Sequence, residues 1–168
     1  MRKSANQNRP RKKLEAVVAA LLTERKKTLA TAESCTGGFI ANRITNVPGA
    51  SKFFLGGVVA YSNEVKEKIL GVRSETLKQH GAVSEAVARE MAAGARKKFG
   101  ADFAVAVTGI AGPAGGTEDK PLGTVFVALA GAFGMVVERR INSYGREKFK
   151  EVTAEQALEM LRQRLVSA

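Results

Sequence analysis

Hydrophobic positions along the chain switch between helical and strand periodicity, and that switching predicts the elements. Leu14, Val17, Val18, Leu21 and Leu22 fall at i, i+3, i+4, i+7 and i+8, the stripe of an amphipathic helix over about residues 12–25. Thr28 to Glu33 (TLATAE) reads as a short strand, and Thr36-Gly37-Gly38 opens a second helix through Ile40 and Ile44. Asn46-Val47-Pro48-Gly49 stops that helix. Gly56 to Ser62 (GGVVAYS) reads as a buried strand with β-branched valines at its centre, and Asn63 as the N-cap of a short helix ending near Gly71. Ser84 can cap a helix carrying Val87, Met91, Ala95 and Phe99, which Gly100 ends. Phe103 to Thr108 (FAVAVT) is an unbroken apolar run, the mark of a central strand covered on both faces. After a Gly- and Pro-rich loop from Gly109 to Leu122, Val125 to Leu129 and Met135 to Ile141 are close enough to pair as a hairpin. A last helix carries Phe149, Val152, Leu158, Leu161 and Leu165. Alternating strands and helices predict a single three-layer α/β/α domain around a mostly parallel, mixed sheet of about five strands.

Composition narrows the class. The 168 residues, 45% hydrophobic and 26% charged, suit one core that needs neither disulfide nor structural metal. No apolar run reaches the ~18 residues of a spanning helix. The polar, basic start from Met1 to Lys13 offers no secretory signal, so a cytoplasmic domain without membrane contact is expected. Cys35 is the only cysteine and His80 the only histidine, which excludes a disulfide framework and the usual Cys- and His-based metal sites. No metal and no cofactor are expected.

The net charge of +11 is partly a property of one end. Residues 1–13 hold six bases and no acid; without them, 21 bases against 16 acids leave +5. This Asn-, Gln-, Ser- and Pro-containing stretch reads as a disordered, solvated tail, with residues 14–168 forming the domain. A folded nucleic-acid binder should interleave bases with aromatics on one face. Aromatics are only 6% here and Trp is absent, so any nucleic-acid contact is confined to the tail.

In open α/β sheets, ligands bind beyond the carboxyl ends of the strands. Ser34, Tyr61 with Ser62, and Thr108 stand at three such ends, and parallel strands would bring them to one edge. In Glu33-Ser34-Cys35-Thr36-Gly37-Gly38 the glycines permit a tight strand-to-helix turn, and the amides of the helix start offer an anion or oxyanion site. A polar cap with packing glycines is the alternative reading. Lys66, third in a helix capped by Asn63, would lie near the positive end of the dipole, which pushes its pKa down towards a neutral amine. Its position alone reads more readily as a solvated lysine balanced by Glu64 or Glu67. The run Gly109-Ile110-Ala111-Gly112-Pro113-Ala114-Gly115-Gly116 could wrap a phosphate, yet matches no standard nucleotide motif. A Cys35–His80 thiol pair is the weaker option for a nucleophile.

Five of these segments also resemble a known family. AESCTGG (Ala32 to Gly38), AYSNEVK (Ala60 to Lys66), GAVSEAVAREMA (Gly81 to Ala92), TGIAGPAGG (Thr108 to Gly116) and KPLGTV (Lys120 to Val125) are similar, in order and spacing, to the C-terminal domain of competence/damage-inducible protein CinA. The resemblance runs from about Leu14 to the C-terminus and leaves the tail outside. Full-length members carry a larger N-terminal domain, so the resemblance implies the standalone form, nicotinamide-nucleotide amidase. That activity is hydrolysis of the carboxamide of nicotinamide mononucleotide (NMN) to nicotinic acid mononucleotide and ammonia. Carried over by motif, Ser34 would be the nucleophile, Lys66 and Tyr61 its proton-transfer partners, and Thr108 and Arg146 further active-site positions. Amides around Thr36, Gly37 and Gly38, or Gly109 to Gly112, would stabilise the oxyanion or hold the phosphate. A homodimer is expected, as in related proteins. The rival is a non-catalytic nucleotide-binding or interaction module linked to competence or DNA damage, which leaves the serine, tyrosine and lysine at matching strand ends unexplained.

Overall fold

A computed structural model describes residues 12–167. The elements are α1 (Leu14–Glu24), β1 (Leu29–Glu33), α2 (Phe39–Thr45), a 3₁₀ turn (Ala50–Lys52), β2 (Phe54–Val59), α3 (Asn63–Leu70), α4 (Ser74–His80), α5 (Glu85–Phe99), β3 (Phe103–Gly109), β4 (Thr124–Gly131), β5 (Gly134–Ile141) and α6 (Arg146–Ser167). The sheet order is β2-β1-β3-β4-β5. The first three strands run parallel, and β4 and β5 return antiparallel as a hairpin. Helices α1, α2 and α6 cover one face, and α3, α4 and α5 the other, giving the expected three layers. The tail expected to be disordered falls almost wholly in residues 1–11, outside the described residues.

Side chains along the inner strands alternate between the two layers, as a pleated strand requires. On β3, Phe103, Val105 and Val107 enter the α1/α2/α6 core, while Ala104 and Ala106 enter the α3/α4/α5 core. By the same alternation Thr108 follows Ala106, and Ser34 follows Ala32 of β1, so both belong to the α3/α5 side. The helix ends follow from local chemistry. The Ser84 hydroxyl accepts from the Val87 N–H at 3.3 Å, as expected, and Gly100 ends α5 with φ 62°. At α3 the cap is Ser62, whose hydroxyl accepts from the Val65 N–H at 3.2 Å, so Asn63 is the first helical residue rather than the cap.

Two further expectations are corrected. β2 is not a buried strand: it pairs only with β1, stands at the sheet edge, and alternates between half-buried and exposed residues. Val58 packs on the α3/α4/α5 side, while its neighbour Val59 is exposed. Helix α4 has no counterpart in the periodicity, because it is short, buries only Thr76 and Leu77, and has no side-chain cap.

Candidate active site

The parallel register brings the strand ends level. Glu33 of β1 lies opposite Val59 of β2 and Val107 of β3, and the Ser34 N–H donates to the Val107 carbonyl at 3.0 Å. One step further, Ala60, Ser34 and Thr108 form a row across three strands. Neighbouring strands stand about 4.8 Å apart. The row opens on a cleft of about 310 Å³ lined by Ser34, Cys35, Tyr61, Lys66, Thr108 and Arg146, with Gly109 to Gly112 as its loop wall.

Lys66 is the centre of this cleft. It is the fourth residue of α3 and 1% exposed, not a solvated surface lysine. Its Nζ lies 3.0 Å from Ser34 Oγ and donates to the Ala60 carbonyl at 2.8 Å. Both partners are uncharged. Burial pushes the Lys66 pKa below its ordinary value. The direction expected at the helix start is therefore found, but its main cause is desolvation.

The remaining residues divide by exposure. Thr108 is buried and its hydroxyl donates to the Ala82 carbonyl at 2.7 Å. Tyr61 and Arg146 stand at the mouth, both exposed, with Arg146 Nη1 3.4 Å from the Tyr61 hydroxyl. Tyr61 thus reaches the guanidinium rather than Ser34 or Lys66.

Thr36, Gly37 and Gly38 stand apart from the cleft lining. They form the turn into α2, with Gly38 in the left-handed region at φ 96°. The buried Glu33 carboxylate accepts from the Thr36 hydroxyl at 2.6 Å and from the amides of Gly38, Ile40 and Ala41 at 3.1, 3.0 and 2.8 Å. The Gly37 N–H donates to the Ser34 carbonyl at 3.1 Å. The anion that the α2 start attracts is therefore the chain's own Glu33. Cys35 is buried, which pushes its thiol up to about 12 and leaves it un-ionised near neutral pH. His80 is exposed at the end of α4 and is not among the residues lining the cleft.

The comparisons with known proteins give the family and the fold. The model of the CinA C-terminal domain matches residues 11–165. The chain belongs to this family. A CinA-like protein of Geobacter sulfurreducens is 52% identical over 155 residues, covering 92% of this chain and 38% of its own. One from Thermotoga maritima is 61% identical over 117 residues, covering 70% of this chain and 29% of its own. The chain thus spans about a third of the length of these curated relatives. Among solved structures, a competence-damaged protein (CinA) superfamily protein from Klebsiella pneumoniae matches with TM-score 0.89 at 37% identity, over 92% of this chain and 97% of that one. The competence/damage inducible protein CihA from Agrobacterium tumefaciens matches with TM-score 0.84 at 42% identity, over 88% and 93%.

In this CinA domain, the sequence reading missed two features of the site. Glu33 is adjacent to the serine, but nothing in its spacing announces that a fully buried carboxylate organises the turn. Ala82 and Val83 reach the cleft from the α4–α5 connection, where only a fold could place them. Among the described residues no cluster of His, Cys, Asp or Glu could hold a metal ion, and no helix is long and apolar enough to cross a membrane.

Proposed function

We propose that this domain hydrolyses the carboxamide of NMN to nicotinic acid mononucleotide and ammonia, with Ser34 as nucleophile and Lys66 as its base. The observation that carries this reading is the buried Lys66 amine, 3.0 Å from Ser34 Oγ and held by a neutral carbonyl. A neutral amine there donates one N–H to Ala60 and turns its lone pair to the serine hydroxyl. Ser34 Oγ attacks the carboxamide carbon as Lys66 takes its proton, giving a tetrahedral oxyanion. When the C–N bond breaks, the Lys66 ammonium returns that proton to the departing nitrogen, and ammonia leaves an acyl ester on Ser34. A water deprotonated by Lys66 then attacks the ester and frees the acid and the serine. This is the Ser–Lys form of the nucleophile–base pair and requires no histidine. Arg146, with Tyr61 beside it at the mouth, is a cation suited to the anionic mononucleotide. NMN itself is supported by the motif resemblance, and the chemistry class by the geometry.

The test is ammonia release from NMN by purified protein. Ser34→Ala should remove nearly all activity while keeping fold and NMN binding. Lys66→Ala should cost at least ~10²–10⁴-fold, typical of a general base. The double variant should be little worse than either, because the pair acts as one unit. Full activity in both single variants would overturn the assignment.

A further inference from the structure

We propose that the end of the sheet opposite the cleft binds the sugar–phosphate backbone of duplex nucleic acid through charge, without reading bases. The inference does not depend on the amidase reading. The cleft lies beyond the carboxyl ends of β1, β2 and β3. The amino ends of the same strands lie level at the far end of the sheet, with Leu29 opposite both Phe54 and Phe103. Each strand is entered there through bases. Arg25, Lys26 and Lys27 lead from α1 into β1, and Lys52 stands in the 3₁₀ turn before β2. Arg96, Lys97 and Lys98 form the last turn of α5 before β3. Arg164, near the end of α6, joins them at the β4–β5 turn. Its guanidinium lies 5.0 Å from the centre of the Phe133 ring, which packs 6.2 Å from Phe103.

Against these eight bases the same segments hold two acids, Glu24 and Asp102, whereas the remainder of residues 14–168 holds 13 bases and 14 acids. The positive charge of the domain is therefore gathered at this end. A helix dipole favours cations at a helix C-terminus, but it does not require them to stand unanswered. Elsewhere Lys68 meets Glu64, Arg89 meets Glu85 and Arg43 meets Glu15. Here Lys27 meets Asp102 at 3.1 Å, while among the described residues Lys26, Lys52, Lys97 and Lys98 form no ion pair. Lys26 adds a backbone observation. It has φ 52°, the left-handed position after a helix that Gly71 and Gly100 fill behind α3 and α5. The chain keeps a cation where glycine would relieve the strain.

The arrangement selects the partner. From β2 through β1 and β3 to the β4–β5 turn the bases form a line of about 15–20 Å, at ~4.8 Å per strand, and not a pocket. A line of cations suits a linear polyanion, and duplex nucleic acid carries about one charge per 1.7 Å of its axis. A low aromatic content argues against base stacking and leaves backbone contact open. Phe133, the exposed aromatic ring at this end, is engaged by Arg164 and Phe103 and is not presented as a stacking platform. That favours a duplex, whose bases stay stacked on one another, over a single strand. The engaged ring likewise supplies no apolar wedge for a bilayer.

The test is the anisotropy of a labelled DNA duplex of about 20 base pairs titrated with the full chain, between about 50 and 200 mM salt. The variant Lys26→Gln/Lys52→Gln/Lys97→Gln/Lys98→Gln should bind at least ~10-fold more weakly at the lower salt. Its plot of log affinity against log salt should be shallower by about 3–4, since each phosphate contact contributes ~0.9. A charge-matched variant, Lys68→Gln/Lys78→Gln/Arg89→Gln/Arg140→Gln, should stay within ~3-fold of wild type and within about one of its slope. If the first variant does not fold, Lys97→Gln/Lys98→Gln, at two exposed positions of α5, should flatten the slope by about two. Equal losses in the two quadruple variants overturn the proposal, as does loss confined to a variant with the six bases of residues 1–13 changed to Gln. So does a wild type that leaves the duplex unbound at the lower salt, or that prefers phosphatidylglycerol vesicles or polyglutamate at equal charge. None of these outcomes bears on the Ser34–Lys66 chemistry.

Discussion

The two faces of the sheet are built from different materials. On the α1/α2/α6 side only four of 22 buried core residues are alanine, and the rest include Leu22, Phe103, Phe149, Leu158 and Leu161. On the α3/α4/α5 side eleven of 17 are alanine, six of them on β1, β3 and β4. The large-residue face supplies more hydrophobic stabilisation, at roughly 1.5–3 kcal/mol per fully buried large side chain. The alanine face supplies proximity. Gly94 of α5 takes this furthest, because a Cβ there would lie 1.8 Å from the Leu70 carbonyl at the end of α3. Close approach of α5 seats α3, and α3 carries Lys66 into the cleft. One face anchors the domain, and the other sets the position of its reactive groups.

Paired substitutions would break this division if it were false. Leu161→Ala, fully buried on the large-residue face, should cost about 2–5 kcal/mol in denaturant unfolding yet leave the kcat of folded protein unchanged. Gly94→Ala should cost less stability, about 1–3 kcal/mol, but lower kcat at least ~10-fold by displacing α3. Equal catalytic loss in both would erase the distinction.

A smaller effect follows from the Lys66 amine. Its pKa in the fold lies below its ordinary value of 10.5, so between those values the unfolded chain binds more protons than the native state. Stability must therefore rise with pH across that window, and the penalty of burying the ammonium is full below the lowered pKa. Unfolding free energy of wild type minus Lys66→Met should climb with pH up to about 10.5. The ascending limb of kcat/KM should sit inside the same window. A flat difference would mean that the amine stays charged when buried. The smallest effect belongs to Cys35: with its thiol pushed up to about 12, Cys35→Ala should keep most activity, and alkylation near neutral pH should be slow.

Much of the fold was legible because its central strands are strongly patterned. The FAVAVT run announced β3 as a central strand, and the capping serine and terminal glycine of α5 fell where the sequence put them. Edge position was not legible in GGVVAYS, since valines pack equally well on one covered face or two. At the site, Ser34, Tyr61, Lys66, Thr108 and Arg146 were all singled out in advance, and one cleft holds them. Lys66 shows the limit of the sequence. Its local surroundings, with Glu64 and Glu67, suit a solvated lysine, and only the approach of α3 to the ends of β1 and β2 buries it. The roles expected of Thr36 and Gly38 failed to anticipate Glu33 for the same reason. Spacing shows which donors exist, while the fold decides what reaches them first.

The reversal of chain direction after β3 has an evolutionary consequence. Because β4 starts at the edge where β3 ends, the wall over the cleft is a hairpin loop instead of a crossover, sealed at its base by Ile110 N–H to the Thr124 carbonyl and Gly123 N–H to the Ile110 carbonyl, both 2.8 Å. Whatever lies between those clasps can lengthen, shorten or be exchanged without shifting the strand register that aligns Ala60, Ser34 and Thr108. The domain thereby separates a fixed row of strand ends from a loop wall whose length the strand register does not constrain.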